Sequence, residues 1–227
     1  MVSATSEPYF DGGSAPRELD RTEIRDIVSA FRDATGRADR AGFDILEIHC
    51  GHGYLLASFL SPTINTRSDE YGRDLAGRMR FPLDVVAAVR ARWPTHKPLL
   101  VRISAVHGAE NGWSLEDSLA FGHELKRLGV DVIDCSSGGA RSARILQPGA
   151  LQPGYKVPYA AAVRRRCSIA SMAVGLIFDG VQAESILRAG EADLIAVGRE
   201  ALGSSCRPAA PDGRALLELE RTIWLVA

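Results

Sequence analysis

Cysteine is sparse in this sequence, and the four that occur, Cys50, Cys135, Cys167 and Cys206, are too far apart to form a CxxC pair. That spacing makes reduced structural thiols a better reading than a disulfide framework or a zinc knot. Long apolar runs are missing too: no stretch approaches the roughly 18 residues needed to span a bilayer. The opening MVSATSEPYF lacks the basic-then-apolar order of a signal peptide, so the expected location is the cytoplasm. Charge of one sign is also lacking. A net charge of −1 leaves no electrostatic case for nucleic acid or an anionic membrane as partner. Histidine is scarce, with five in 227 residues, and two of the five stand three apart in Ile48-His49-Cys50-Gly51-His52-Gly53-Tyr54.

What is present is an ordinary globular composition, 46% hydrophobic and 24% charged, long enough for one large domain or two small ones. Residues 1–19, with Pro8, Gly12, Gly13 and Pro16, have no periodicity and read as an arm or loop. Asp20 and Glu23 then have capping-box spacing, and Ile24, Ile27, Val28 and Phe31 make the apolar stripe of a helix running toward Gly42. Phe43–Ile48 reads as a strand with the histidine stretch at its end, followed by a polar loop from Ser61 to Gly72. Leu75–Trp93 is helical in pattern, with Pro82 expected to kink it or to mark its first turn.

Leu99–Ser104 alternates, placing Leu99, Val101 and Ile103 on one side and Arg102 and Ser104 on the other. Ser114 and Asp117 open a helix that closes at Gly129, and Val130–Ser137 is the next strand. A short helix near Pro158–Arg166, a strand Ile169–Val174, a helix Asp179–Ala189 and a strand Ala192–Val197 follow. The chain ends with an amphipathic segment, Leu216–Val226.

Strands alternating with helices predict a parallel sheet, either open and doubly wound or part of a (β/α)8 barrel. The polar positions favour the barrel. Glu47 and His49 share one face of their strand, as do Arg102 with Ser104 and Asp134 with Ser136. An open sheet covered by helices on both faces would bury these charges without partners, at several kcal/mol each on the order given for buried ions. A barrel lets them line one central pocket.

On the residues alone, His49 and His52 are most simply structural. HxxH is also a metal-pair spacing, with Glu47 or Cys50 close by, but the sequence offers no second ligand cluster. Arg102 could merely pair with Glu47, Cys50 could be a small filler, and glycine at a strand end usually just makes the turn.

The stretches GFDILEIHCGHGYLLASFLSP, NTRSDEYGRDLAGRMRFPLDVV, PLLVRISA, GVDVIDCSSGG, PGYKVPYA, SMAVGLI and ADLIAVGREAL together resemble the old yellow enzyme family of flavin-dependent ene-reductases, in family order across about residues 3–203. The resemblance implies an FMN-binding TIM (β/α)8 barrel that reduces activated C=C bonds with NAD(P)H. The chain looks like strands four to eight of such a barrel, a curved parallel sheet lacking the first three βα units, roughly 100 residues by usual barrel length. The whole of 1–227 is then one partial barrel domain: an arm over 1–19, a family-like core over 20–203 and a divergent tail over 204–227.

By the same resemblance, His49 and His52 match the pair that binds the substrate's carbonyl or nitro oxygen, and Tyr54 matches the proton donor to the α-carbon. Arg102 matches the arginine facing the flavin pyrimidine ring, while Gly175, Gly198 and Arg199 match the loops that hold the FMN phosphate. VHGAENGW stands where many relatives have an Asp-Trp pair, and GSSCRPAAPDG replaces the usual ending. The implied partners are a small electrophilic alkene as substrate and, through unpaired edges on the Phe43–Ile48 and Ala192–Val197 strands, a second copy of the chain or a complementary barrel fragment. Two functions stay open: an FMN-dependent oxidoreductase, or a truncated remnant that binds flavin weakly or not at all.

Overall fold

Asp20 caps the first long helix as its spacing predicts. Its carboxylate accepts from the backbone of Thr22 and Glu23, and Glu23 reaches back to the Asp20 N–H. Such a cap contributes on the order of 1 kcal/mol. The computed structural model describes residues 1–9, 12–139, 151–198 and 222–225. Within them run β1 (Val2–Ser3), β2 (Arg17–Glu18), α1 (Arg21–Arg40), β3 (Ile45–Cys50), α2 (Leu55–Leu60), α3 (Leu75–Arg92) and β4 (Leu99–Ser104). Then follow α4 (Leu115–Arg127), β5 (Val132–Ser136), α5 (Val157–Cys167), β6 (Ala170–Ala173), α6 (Gly180–Arg188), β7 (Leu194–Ile195) and β8 (Thr222–Leu225).

The main sheet is wholly parallel, in the order β7-β6-β5-β4-β3-β8. From β3 to β7, strands that follow one another in sequence lie side by side, with no reversal about a switch point. The two faces of the sheet differ. Leu46, Ile48, Cys50, Leu99, Val101, Ile103, Ile133 and Cys135 belong to the core that holds Ile24, Phe59, Phe81, Val85, Phe121 and Val163 from the helices. The alternate residues Leu100, Val132 and Met172 form a small separate apolar cluster with strand-face neighbours. The polar residues that alternation singled out stand on that second face.

Three expectations are corrected. The first main strand begins at Ile45, not Phe43, and runs on through Cys50, two residues beyond Ile48. Pro82 does not mark the first turn of α3 but lies well inside it. The β3 edge is not open: Ile45–Ile48 pair with Thr222–Leu225, which turns part of the amphipathic tail into a strand. An unpaired parallel edge presents a row of N–H and C=O groups, and Thr, Ile, Trp and Leu are residues that suit a strand. At the other end, β7 is the outermost strand among the described residues.

Candidate active site

Parallel register assembles the site. One row across the sheet reads His49, Arg102, Asp134, Met172, Leu194, and Ser104 faces Ser136 two residues further along. Residues distant in sequence thus stand side by side, with His49, Ser104 and Ser136 at or next to the carboxyl ends of their strands, where α/β folds place ligands. The chain then doubles back. His52 and Gly53 take left-handed backbone conformations, φ 57° and 76°, and this returns the His52 ring to His49. Gly51 lies close under the turn: a Cβ there would stand 3.1 Å from Ser104 N and Oγ.

The result is a continuous polar chain. His52 Nδ1 is 3.2 Å from His49 Nε2, and His52 Nε2 is 2.7 Å from Ser136 Oγ. The His52 backbone N–H donates to Ser104 Oγ at 2.9 Å. Lys156, nearly buried, donates from Nζ to Ser136 Oγ at 2.8 Å. Tyr54, 54% exposed, lies with its ring 5.3 Å from that of His49. His49 Nδ1 is buried and has no hydrogen-bond partner among the described residues.

Burial sets the protonation of this region. It pushes His49 down to about 4, with the Arg102 charge adding to the effect. His52 also falls to about 4, mainly through burial and then through Arg102. Both rings are therefore neutral at pH 7. Glu47 and Asp134 go the other way, burial raising both, with the Asp134 charge adding to the rise at Glu47 and Arg102 opposing it at each. Arg102 Nε is 3.1 Å from Asp134 Oδ2, but neither Asp134 oxygen accepts an aligned hydrogen bond from the described residues. The pair is therefore held by charge more than by direction. Cys50 is fully buried and its thiol is pushed up by burial, which suits a filler and not a nucleophile.

Of the residues singled out from sequence, His49, His52, Tyr54 and Arg102 come together. Gly175 joins them indirectly: at φ 115°, it packs against Lys156, and a Cβ would meet Lys156 Cγ at 3.0 Å. Gly198 follows β7 with nothing within 4 Å of where its Cβ would be. Arg199 lies outside the described residues. Lys156 was not legible as a site residue, nor were the buried acids Glu47 and Asp134 as a coupled pair. Alternation put the acids on the right face but did not reveal their proximity. His107 was missed as well. It is almost fully buried, both its ring nitrogens lack hydrogen-bond partners among the described residues, and burial holds it down to about 4.

Residues 3–205 match the model of the NADH:flavin oxidoreductase / NADH oxidase family. An NADPH dehydrogenase of Geobacillus sp. (strain WCH70) is 43% identical over 202 residues, covering 89% of this chain and 58% of that protein. One from Halalkalibacterium halodurans is 42% identical over 222 residues, covering 98% of this chain and 63% of that protein. The chain therefore spans less than two thirds of these relatives. Among solved structures, morphinone reductase in complex with tetrahydroNAD matches with a TM-score of 0.67 at 26% identity, over 93% of this chain and 62% of that one. The 6-hydroxypseudooxynicotine amine oxidase from Pseudomonas geniculata N1 matches with a TM-score of 0.78 at 27% identity, over 89% of this chain and 31% of that one.

Proposed function

We propose that this chain, which belongs to the NADH:flavin oxidoreductase / NADH oxidase family, also called the old yellow enzyme family, works as the acceptor-binding part of an ene-reductase. FMN, with NAD(P)H as reductant, is the cofactor that membership implies. In this reading β3 to β7 are strands four to eight of a (β/α)8 barrel. Their chain-order pairing and the polar second face of the sheet support it. The substrate is an enone or a related electrophilic alkene. A cytoplasmic location belongs to the same reading, supported by the free buried thiols of Cys50, Cys135 and Cys167.

The observation that carries the proposal is a pair of neutral histidines at a strand end, one of which has a buried, unpartnered ring nitrogen. Charge develops on the acceptor's oxygen as its β-carbon is reduced. Preorganised donors from His49 and His52 stabilise that charge as an oxyanion hole does. Both nitrogens of His52 are engaged in this structure, so its donation to the acceptor requires opening the 3.2 Å contact to His49. In this reading Tyr54, beside His49 and open to solvent, gives the α-carbon its proton. When bound, FMN supplies the hydride.

The residues present fit such a group. Arg102 stands in the row of His49 with its side chain 20% exposed, able to face the pyrimidine end of the ring. The bare backbone at Gly198 suits a phosphate, with Gly175 and Arg199 as its further contacts.

The second reading is a remnant with weak or no flavin binding. FMN titration followed by absorbance decides between them. The enzyme reading expects a stoichiometric yellow complex that NADPH bleaches and an enone restores, with the chain alone or with a complementary barrel fragment. A colourless protein under both conditions would establish the remnant.

A further inference from the structure

Lysine carries donors only, and this one-sidedness gives the polar chain a direction. Lys156 Nζ donates to Ser136 Oγ at 2.8 Å, and Lys156 cannot accept the serine proton in return. Ser136 is fully buried, and the other contact of its hydroxyl among the described residues is His52 Nε2 at 2.7 Å. The hydroxyl therefore donates to Nε2. That leaves the proton of the neutral His52 ring on Nδ1, which donates to His49 Nε2 at 3.2 Å. The neutral His49 ring then carries its own proton on Nδ1, the buried atom that has no partner. Successive donors polarise one another in the same sense.

We propose that Lys156 is a positioning residue which, through Ser136, fixes both histidines as Nδ1–H tautomers and so presents His49 Nδ1–H as a donor to an anionic oxygen. The proposal rests on the reading of His49 and His52 as the acceptor-binding pair. Its functional content is a sign. With the chain running the other way, His49 Nδ1 would be an acceptor and would repel the same oxygen. Gly175 takes part by leaving room for the Lys156 stem, since a side chain there would meet Lys156 Cγ and Cδ at 3.0 and 3.1 Å.

The tautomers can be read directly from the ring nitrogen shifts of the 15N-histidine-labelled chain near pH 7.5. The expected pattern is Nδ1–H for both His49 and His52. Lys156→Met should move at least one of them to Nε2–H, Lys156→Arg should retain the original pattern, and the signals of the buried His107 report whether the fold is kept. Ser136→Ala breaks the same link with lysine in place, so it reads the effect even where Lys156→Met does not fold. Nε2–H tautomers in the unsubstituted chain, or an unchanged pattern in folded Lys156→Met or in Ser136→Ala, would overturn the proposal. Titration with 4-nitrophenolate is the separate arm. Tautomers that respond as expected while the phenolate leaves the His49 signals unmoved would sink the acceptor-binding reading and leave the positioning role intact.

Discussion

Replacing Arg102 by Met is expected to destabilise the fold severely above neutral pH and much less in acid. Arg102 lies beside Asp134 on a face that also buries Glu47, and it lowers the pKa of both carboxyls against the larger effect of burial. Without the guanidinium, two buried carboxyls lose a compensating charge, a change that typically costs about 3–5 kcal/mol. That is comparable with the whole stability of a marginal domain, about 5–15 kcal/mol.

The sign with pH follows from proton uptake. Carboxyls raised in the folded state hold protons that the unfolded chain releases, so their contribution to stability falls as pH rises above the ordinary carboxylate range. Removing Arg102 raises them further and steepens that fall. His49, His52 and His107, held down to about 4, act oppositely: their contribution is lost as pH drops from about 6.5 to about 4. The informative quantity is therefore the difference between variant and parent in urea unfolding, measured at pH 5 and at pH 8. A difference of equal size at both would mean that Arg102 stabilises by packing and not by charge.

The second large effect concerns catalysis in a complete barrel that contains this chain. Replacing both His49 and His52 by Ala should lower kcat/KM for an enone by about 10²–10³-fold for a single lost donor, some 3–4 kcal/mol. The double loss should fall short of the sum of two such effects, because the rings share a hydrogen bond and act as a unit. Phenolate affinity should fall with it. Since both rings lose their protons near pH 4, the parent's kcat/KM should show no limb from this pair between pH 5 and 8. A double variant that binds phenolates and turns over enones like the parent would give the pair another task.

Much of the fold was legible because local rules and tertiary demands agree. Asp20 with Glu23 and Ser114 with Asp117 both form the capping boxes that their spacing suggests. Leu99–Ser104 was bounded correctly because Arg102 and Ser104 break an apolar run with period two. Where a segment lacks such contrast, reading fails. Leu55–Leu60 is apolar throughout except Ser58, so nothing marks it as the helix α2. The start of β3 was misplaced because Phe43 looks like a strand residue, while in the structure it packs beside the core ahead of the strand.

At the site, residues within one short stretch or one alternating strand could be found, as His49, His52 and Arg102 were. Lys156 could not. Its link to Ser136 spans 20 residues and that of Ser136 to His52 spans 84, so only the assembled sheet brings them together. The left-handed turn at His52 was equally silent, because the sequence there shows glycines on either side but not which residue bends.

The pairing of β8 with β3 bears on the order in which the sheet closes. Each of β3 to β7 meets a strand that is its neighbour in sequence, whereas β8 must bring Thr222 back to Ile45 across almost the whole chain. Loop closure grows only logarithmically, so the extra entropic cost over the β3–β4 pairing is about 1 kcal/mol. That is small beside a core but large beside four residues of one strand. The sheet should therefore nucleate between β3 and β6 and acquire β8 last, and the β8 amides should exchange with solvent long before those of β4 and β5. Amide exchange of β8 as slow as that of β4 would show the tail strand to be part of the first cooperative unit to fold.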